Sequence, residues 1–567
     1  MKTFQSLALC FVLLCGATVL VAQAPYWQWA VKAEGDGEEW SMSIATDSQE
    51  NQYVTGHFDG IATFGTHTLT ANGGQWGADL FVAKLDPNGN WLWAVKAGGI
   101  DNEIGNDIAV DGAGNAYVTG FFEGTATFGT HTLTASGEED IFIAKLDTSG
   151  NWLWAVKAGG TDYDYGYGIA VDGSGNAWVT GWFEGTATFG SQTLTSRGDL
   201  DIFAAKLDTS GNWIWAVRAG GTNLDMGFDI AVDLAGNAWV TGNYINIANF
   251  GSHTLTELGG FVAKLDPNGN WLWAVQAGHD GRGVVIDTVA GLGTAYVVGE
   301  FGNTATFGSQ TLTSSGMWDV YVARLDTTGN WLWAVKAGGT GDERGYGIAV
   351  DGVGKAYVIG EFGNTATFGS HVLTSSGEWD IFAAKLDSFG NWLWAVEAGG
   401  TFNDYGYGIA VDGMGNAYLT GKIEGTTTFG THILTANGFG DVYVAKISYI
   451  DEDAPPKAPE NVHITLSENS ALITWDAVTE NILGQPITPD CYYVYKSSDP
   501  FGQFTYYGSS SDTTFVLSTT DLSHPMMFYR VTAYKDNPRG RSDPASPELE
   551  PGTAEAEMKH RLEFTKE

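Results

Sequence analysis

Short apolar runs recur along the chain, each closed off by Gly, Asn and Asp. In the clearest copy, Gly168-Ile-Ala-Val-Asp172 leads through a Gly-rich turn to Asn176-Ala-Trp-Val-Thr-Gly181. Gly185-Thr-Ala-Thr-Phe-Gly190, a Thr-rich stretch and Asp201-Ile-Phe-Ala-Ala-Lys-Leu-Asp208 follow. A fourth run, Trp-x-Trp-Ala-Val, begins at Trp27, Trp91, Trp152, Trp213, Trp271, Trp331 and Trp392, 58 to 64 residues apart. All four runs are rich in β-branched and aromatic residues, so they read as strands. The first two are joined by Asp-Gly-x-Gly-Asn in most copies and the last two by Asp-x-x-Gly-Asn. In such turns Asp and Asn bond the backbone and Gly supplies positive φ.

Four strands every 60 residues or so is the pattern of a propeller blade. The chain is therefore expected to be all-β, with a seven-bladed β-propeller of four-stranded blades over residues 25–448. The runs are offset by one. A Trp-x-Trp strand precedes the first full block, and none follows Asp441-Val-Tyr-Val-Ala-Lys446. The N-terminal strand should pair beside Val442–Lys446 and complete the last blade, leaving no open edge. The two Trp of each pair lie on one strand face. A side chain needed in every blade fits packing between blades better than glycan binding.

The Ile-Ala-Val-Asp strand, the Gly-Asn-Ala-Tyr-Val-Thr-Gly hairpin and the Phe-x-Ala-Lys-Leu-Asp strand resemble the SBBP family of bacterial propeller repeats, over roughly residues 27–448. The resemblance implies an architecture and no settled activity. The phrase Leu-Asp-x-x-Gly-Asn-x-x-Trp is faintly similar to quinone-cofactor dehydrogenase propellers, whose ligand residues are not found here, so no cofactor is expected. Beyond a Pro-containing linker at 449–459, residues 460–550 resemble a fibronectin type III domain. The matching parts are Ile473-Thr-Trp475, Tyr492-Tyr-Val-Tyr495 and Phe528-Tyr-Arg-Val-Thr-Ala-Tyr534, although Met527 stands where that family usually has its corner Tyr. The resemblance implies a β-sandwich spacer or adhesion module. Residues 551–567 read as a charged tail.

Lys2, the apolar run Leu7 to Val21 and Ala22-Gln23-Ala24 read as a secretory signal over 1–24, so a secreted or cell-surface location is expected. No second long apolar run offers a membrane span. Two of the three cysteines fall in the signal and Cys491 is left alone, so no internal disulfide is expected. The formal net charge is −39. Nucleic acid and anionic lipid are repelled by such a surface, which favours solubility, cations and basic partners.

Five residues before the first strand's Ile, or its equivalent, the copies carry Glu39, Glu103, Asp164, Asp225, His279, Glu343 and Asp404. Trp40, Tyr163, Tyr165, Tyr346 and Tyr405 lie nearby. These positions form a candidate binding rim at the channel mouth, attracting a divalent cation or a sugar; alternatively, each acid accepts backbone N–H groups of its own or the next blade. A second recurring polar position, His67, His131, Gln192, His253, Gln310, His371 and His432, is spread around the disc and cannot share one metal ion. Arg197-Gly198-Asp199 spells an integrin-recognition triplet that loop composition explains equally well. No catalytic triad, His-Glu-x-x-His or Cys-based signature appears. The fifth copy, with His279, Asp280 and Arg282, is the most irregular and the one place to look for an active site. The expected function is non-enzymatic binding of, or scaffolding for, an extracellular protein or glycan. The competing one is a secreted propeller enzyme, a hydrolase or lyase acting on polysaccharide.

Overall fold

The computed structural model describes residues 25–73, 77–288, 293–448, 459, 463–467, 470–479, 489, 491–497, 505–517 and 528–534. The signal, most of the linker and the tail lie outside the described residues. Among the described residues every regular element is a strand.

Strands 26–448 form antiparallel sheets that repeat one order. The unit Glu39–Thr46, Gln52–Phe58, Asp79–Leu85 and Trp91–Ala97 pairs first to second, second to third and third to fourth. The same order recurs in five further sheets, and Tyr405–Val411, Ala417–Ile423 and Asp441–Ser448 supply three strands of another. Its fourth strand is Tyr26–Lys32, which pairs antiparallel with Asp441–Ser448, from Tyr26 opposite Ser448 to Lys32 opposite Tyr443. This is the pairing that the offset in the sequence predicts. The first strands touch one another in series, and Glu39–Thr46 touches Tyr405–Val411, so the series closes.

Each apolar core lies between consecutive sheets. One joins Tyr53, Leu80 and Val82 to Val118, Phe122 and Phe142. Another joins Val442 and Val444 of the last sheet to Ile44, Phe58 and Phe81 of the first. Burying one such side chain contributes about 1.5–3 kcal/mol, so the sheets hold one another.

The Trp pairs act at these seams. Trp91 meets Phe64 edge-on, with centroids 5.1 Å apart, and the equivalent contact recurs at Trp27, Trp152, Trp213, Trp271, Trp331 and Trp392. Trp93 Nε1 donates to the Thr148 carbonyl of the next unit at 3.1 Å, and its ring covers Gly150 of that turn. Register shifts beside Leu85 mark a bulge that turns Leu92 outward.

The turns follow from their residues. Asp86 Oδ1 accepts the N–H groups of Asn88 and Asn90, each at 2.9 Å, and Gly89 has φ +83°. At the other turn Asp47 meets Lys84 at 3.1 Å while Lys84 Nζ sits 4.4 Å from the Tyr53 ring centroid. Comparable Asp–Lys–aromatic groups stand at Asp111, Lys145 and Tyr117 and at Asp233, Lys264 and Trp239.

One feature exceeds the four-strand expectation. The Thr-rich stretch folds as a further hairpin between the second and third strands, as in Ile61–Phe64 with His67–Thr70. The polar residue opening its second strand ties it to the Trp strand. Gln192 Oε1 accepts the Ala216 N–H at 2.9 Å and its Nε2 donates to the Ile214 carbonyl at 3.1 Å.

Among the described residues beyond 459, six strands form two three-stranded sheets. Ile473, Trp475, Val478, Tyr492, Val494 and Val531 bury together in one core.

Candidate functional site

Glu39, Glu103, Asp164, Asp225 and Glu343 open their first strands, and Asp404 directly precedes Tyr405–Val411. All six have no solvent exposure, so they face into the fold and not into an open rim. Four reach the N–H group four residues back: Glu103 to Gly99 at 2.8 Å, Asp164 to Gly160 at 2.7 Å, Asp225 to Gly221 at 2.6 Å and Glu343 to Gly339 at 2.8 Å. Asp404 accepts the Thr427 hydroxyl at 2.6 Å.

A second acid, on the third strand of the preceding sheet, lies beside each. An intervening glycine measures the approach. A Cβ on Gly98 would fall 2.5 Å from Asp79 Oδ1 and 2.7 Å from Glu103 Oε2. Gly159 stands likewise between Asp140 and Asp164, and Gly338 between Asp319 and Glu343. Burial, reinforced by the neighbouring acid, pushes Glu39 up to about 9, Glu103, Asp164 and Glu343 to about 8, and Asp225 and Asp404 to about 7. A basic side chain balances most pairs, as where Lys96 meets Asp79 at 2.5 Å. Among the described residues no group of three or more His, Cys, Asp or Glu is placed to hold a metal ion.

His279 departs from the other copies. Its side chain is 36% exposed, and the preceding sheet has Gly259 and Gln276 where most others have the paired Asp and a basic residue. Around it the fifth and sixth units build an unsymmetrical cluster on the inner wall. Asp280, 4% exposed, contacts His279 Nδ1 at 3.2 Å, accepts Asn243 Nδ2 at 2.9 Å and pairs with Arg282 at 2.7 Å. Arg282 reaches Glu300 at 3.5 Å, and Arg344 meets Glu300 at 3.7 Å and Glu361 at 3.3 Å. Tyr346 donates its hydroxyl to Glu361 at 3.0 Å. Trp318 meets the His279 ring edge-on at 4.6 Å, and the Arg344 guanidinium lies 5.2 Å from the Trp379 ring centroid. Burial raises Glu361 to about 7 against the pull of Arg344. The same burial raises Glu300, which Arg282 opposes.

Elsewhere the inner wall is aromatic. Trp40 stacks with Tyr405, Tyr407 and His57 at 5.7, 5.9 and 6.3 Å, and Lys422 Nζ lies 4.3 Å from its centroid. Tyr165 packs between Phe121 and Trp182 at 4.0 and 4.2 Å and bonds Glu139 through its hydroxyl. Tyr163 is exposed. Sequence reasoning singled out His279, Asp280 and Arg282 but missed Glu300, Glu361, Arg344, Trp318 and Trp379. Their signal was a broken repeat: Val-Gly-Glu300 and Ile-Gly-Glu361 replace Thr-Gly before a different residue in the other copies.

Residues 153–182 and 393–430 match the SBBP β-propeller repeat family. An uncharacterized WD repeat-containing protein of Acanthamoeba polyphaga mimivirus is 23% identical, over 63% of this chain and 33% of its own. The chain carries β-propeller repeats. The regulatory protein FlaEY of Caulobacter vibrioides is 27% identical, over 53% of this chain and 34% of its own. The chain thus spans about a third of the length of these curated relatives. A gluconolactonase structure from Xanthomonas campestris aligns at TM-score 0.32 and 11% identity, covering 76% of this chain and 96% of the other.

Proposed function

We propose that this propeller-repeat chain is an exported, non-enzymatic binding or scaffold protein at or outside the cell surface. In this reading the seven four-strand units are the blades of one seven-bladed propeller, and the two three-stranded sheets around Trp475 belong to a fibronectin type III sandwich. The closed series of first strands and the shared core around Trp475 support the architecture. The apolar run within residues 1–24 supports export.

One observation carries the binding reading. Four of the repeated acids are used inside the fold on backbone N–H groups, while the partly exposed polar groups of the inner wall, Arg282, Arg344 and His279, are each matched to a carboxylate beside an aromatic ring. Charge-matched donors beside aromatic faces suit recognition by hydrogen bonding and stacking. The partner in this reading is an extracellular protein or glycan. The enzyme reading, a hydrolase or lyase on polysaccharide, draws on the raised carboxyl of Glu361 near Glu300, because catalysis needs acids of unlike pKa in one place. A hydrolase and lyase screen on polysaccharides separates the two. Retention without cleavage is expected. Turnover that disappears in His279→Ala or Arg282→Lys would overturn the binding reading.

A further inference from the structure

The cluster between the fifth and sixth units holds buried polar atoms that make no hydrogen bond. Glu361 is 2% exposed and Glu300 7%. Each keeps its Oε2 without a hydrogen bond, as do Asn243 Oδ1 and Arg282 Nε. A buried acceptor left unmade costs about 1–3 kcal/mol, more when charged. Three acceptors against one donor call for a ligand rich in O–H groups. A carboxylate oxygen takes such donors on its free lone pairs, and two carboxylates side by side take several hydroxyls of one ring.

Charge narrows the class. Asp280, Glu300 and Glu361 face Arg282 and Arg344, a formal charge of one negative with all three acids ionised and His279 neutral, within a chain of net charge −39. An anionic ligand is repelled by both. The half-buried rings of Trp318 and Trp379 stand beside His279 and Arg344, offering apolar faces for the C–H side of a flat ring.

We propose that this cluster binds a neutral hexose-based glycan, with Glu300, Glu361 and Asn243 accepting its hydroxyls, Arg282 donating to a ring or hydroxyl oxygen, and Trp379 stacking on the sugar. The assignment rests on the binding reading above and names its ligand class and site.

The test uses the full chain on immobilised neutral gluco-, galacto- and manno-oligosaccharides, with oligogalacturonate as the anionic arm. Binding to at least one neutral series is expected, weakened tenfold or more in Glu361→Gln and in Trp379→Ala with melting temperatures unchanged. Glu361→Gln keeps the side chain's shape and an acceptor for Tyr346, so it guards against loss of fold. Neutral-glycan binding that both folded variants retain overturns the site while leaving the binding function standing. Preference for oligogalacturonate overturns the ligand class. No binding of any glycan by the unaltered chain overturns the inference, whereas the function itself stands or falls on the turnover screen.

Discussion

On the fourth strand of five sheets a basic side chain meets the buried Asp of the third. Lys32, Lys96, Lys157, Arg218 and Lys336 fill that position, 2.5 to 2.8 Å from Asp441, Asp79, Asp140, Asp201 and Asp319. In the sixth unit Glu397 stands there opposite Asp380, whose carboxyl is pushed up to about 6 by burial, with Glu397 adding to the rise. Glu397→Lys should restore the ion pair at the cost of one bond, from the Thr374 N–H at 3.0 Å. A charge-assisted hydrogen bond contributes about 1.5–3 kcal/mol. The melting temperature should rise by roughly 2–4 °C per kcal/mol retained, with Glu397→Gln rising less. A lower melting temperature for the lysine variant than for the natural chain would reject the charge argument. At this scale the sequence was partly legible. The turn Asp residues and the Trp pairs could be assigned because one physical demand repeats in every copy. The strand-opening acids could be read as acceptors of backbone N–H groups, but not their pairing with a second acid, since Asp79, the partner of Glu103, lies in the preceding unit.

Among the elements, the first strands should give the molecule a pH dependence with two limbs. Unfolded Asp and Glu lose their proton near pH 4. Glu103, Asp164 and Glu343 hold theirs to about 8 in the fold, and Glu39 to about 9, because burial and a neighbouring acid disfavour the charge. Between pH 4 and 9 the folded state therefore binds more protons than the unfolded one, so stability falls as pH rises through that window. The turn acids act in the other direction. Asp172 is held at about 2 although its burial opposes this, chiefly by bonds from Asn176 and Lys206. Their contribution is complete above pH 4 and is lost as pH falls towards 2. Calorimetry from pH 2 to 9 should give a maximum near pH 4–5. The double variant Glu103→Gln, Asp164→Asn should flatten the alkaline limb, because a neutral amide in place of each acid has no proton to lose. An alkaline limb of unchanged slope would show that these acids ionise freely in the fold. Strands and tight turns were legible because short β-branched and aromatic runs between Asp/Asn/Gly turns have few alternatives. The Thr-rich stretch was legible as a hairpin with one recurring polar position but was not counted among the strands of the unit, since its exposed threonines carry little apolar signal.

The whole molecule depends on one long-range pairing, legible from a count of repeats. Tyr26–Lys32 lies more than 400 residues from its partner strand and supplies Trp27, at 8% exposure, to the core of Ile423, Phe429 and Tyr443. Lys32 meets Asp441 at 2.5 Å, and His432 Nε2 contacts the Trp27 carbonyl at 3.2 Å. Without this strand, Asp441–Ser448 presents an unpaired edge, a template for pairing with other chains. Asp441 would also lose its ammonium partner while remaining beside Glu39. Deleting residues 25–33 removes a core tryptophan, a strand's ladder bonds and a buried ion pair together. Losing a buried Trp alone costs about 3–5 kcal/mol, so the melting temperature should fall by roughly 10 °C or more, with concentration-dependent association. A synthetic peptide of residues 25–33 added in trans should restore most of the loss, while the same peptide with Trp27→Ala and Lys32→Ala should restore little. A deletion variant that melts as the natural chain does, with no response to either peptide, would mean that the sheets hold one another without the closing strand.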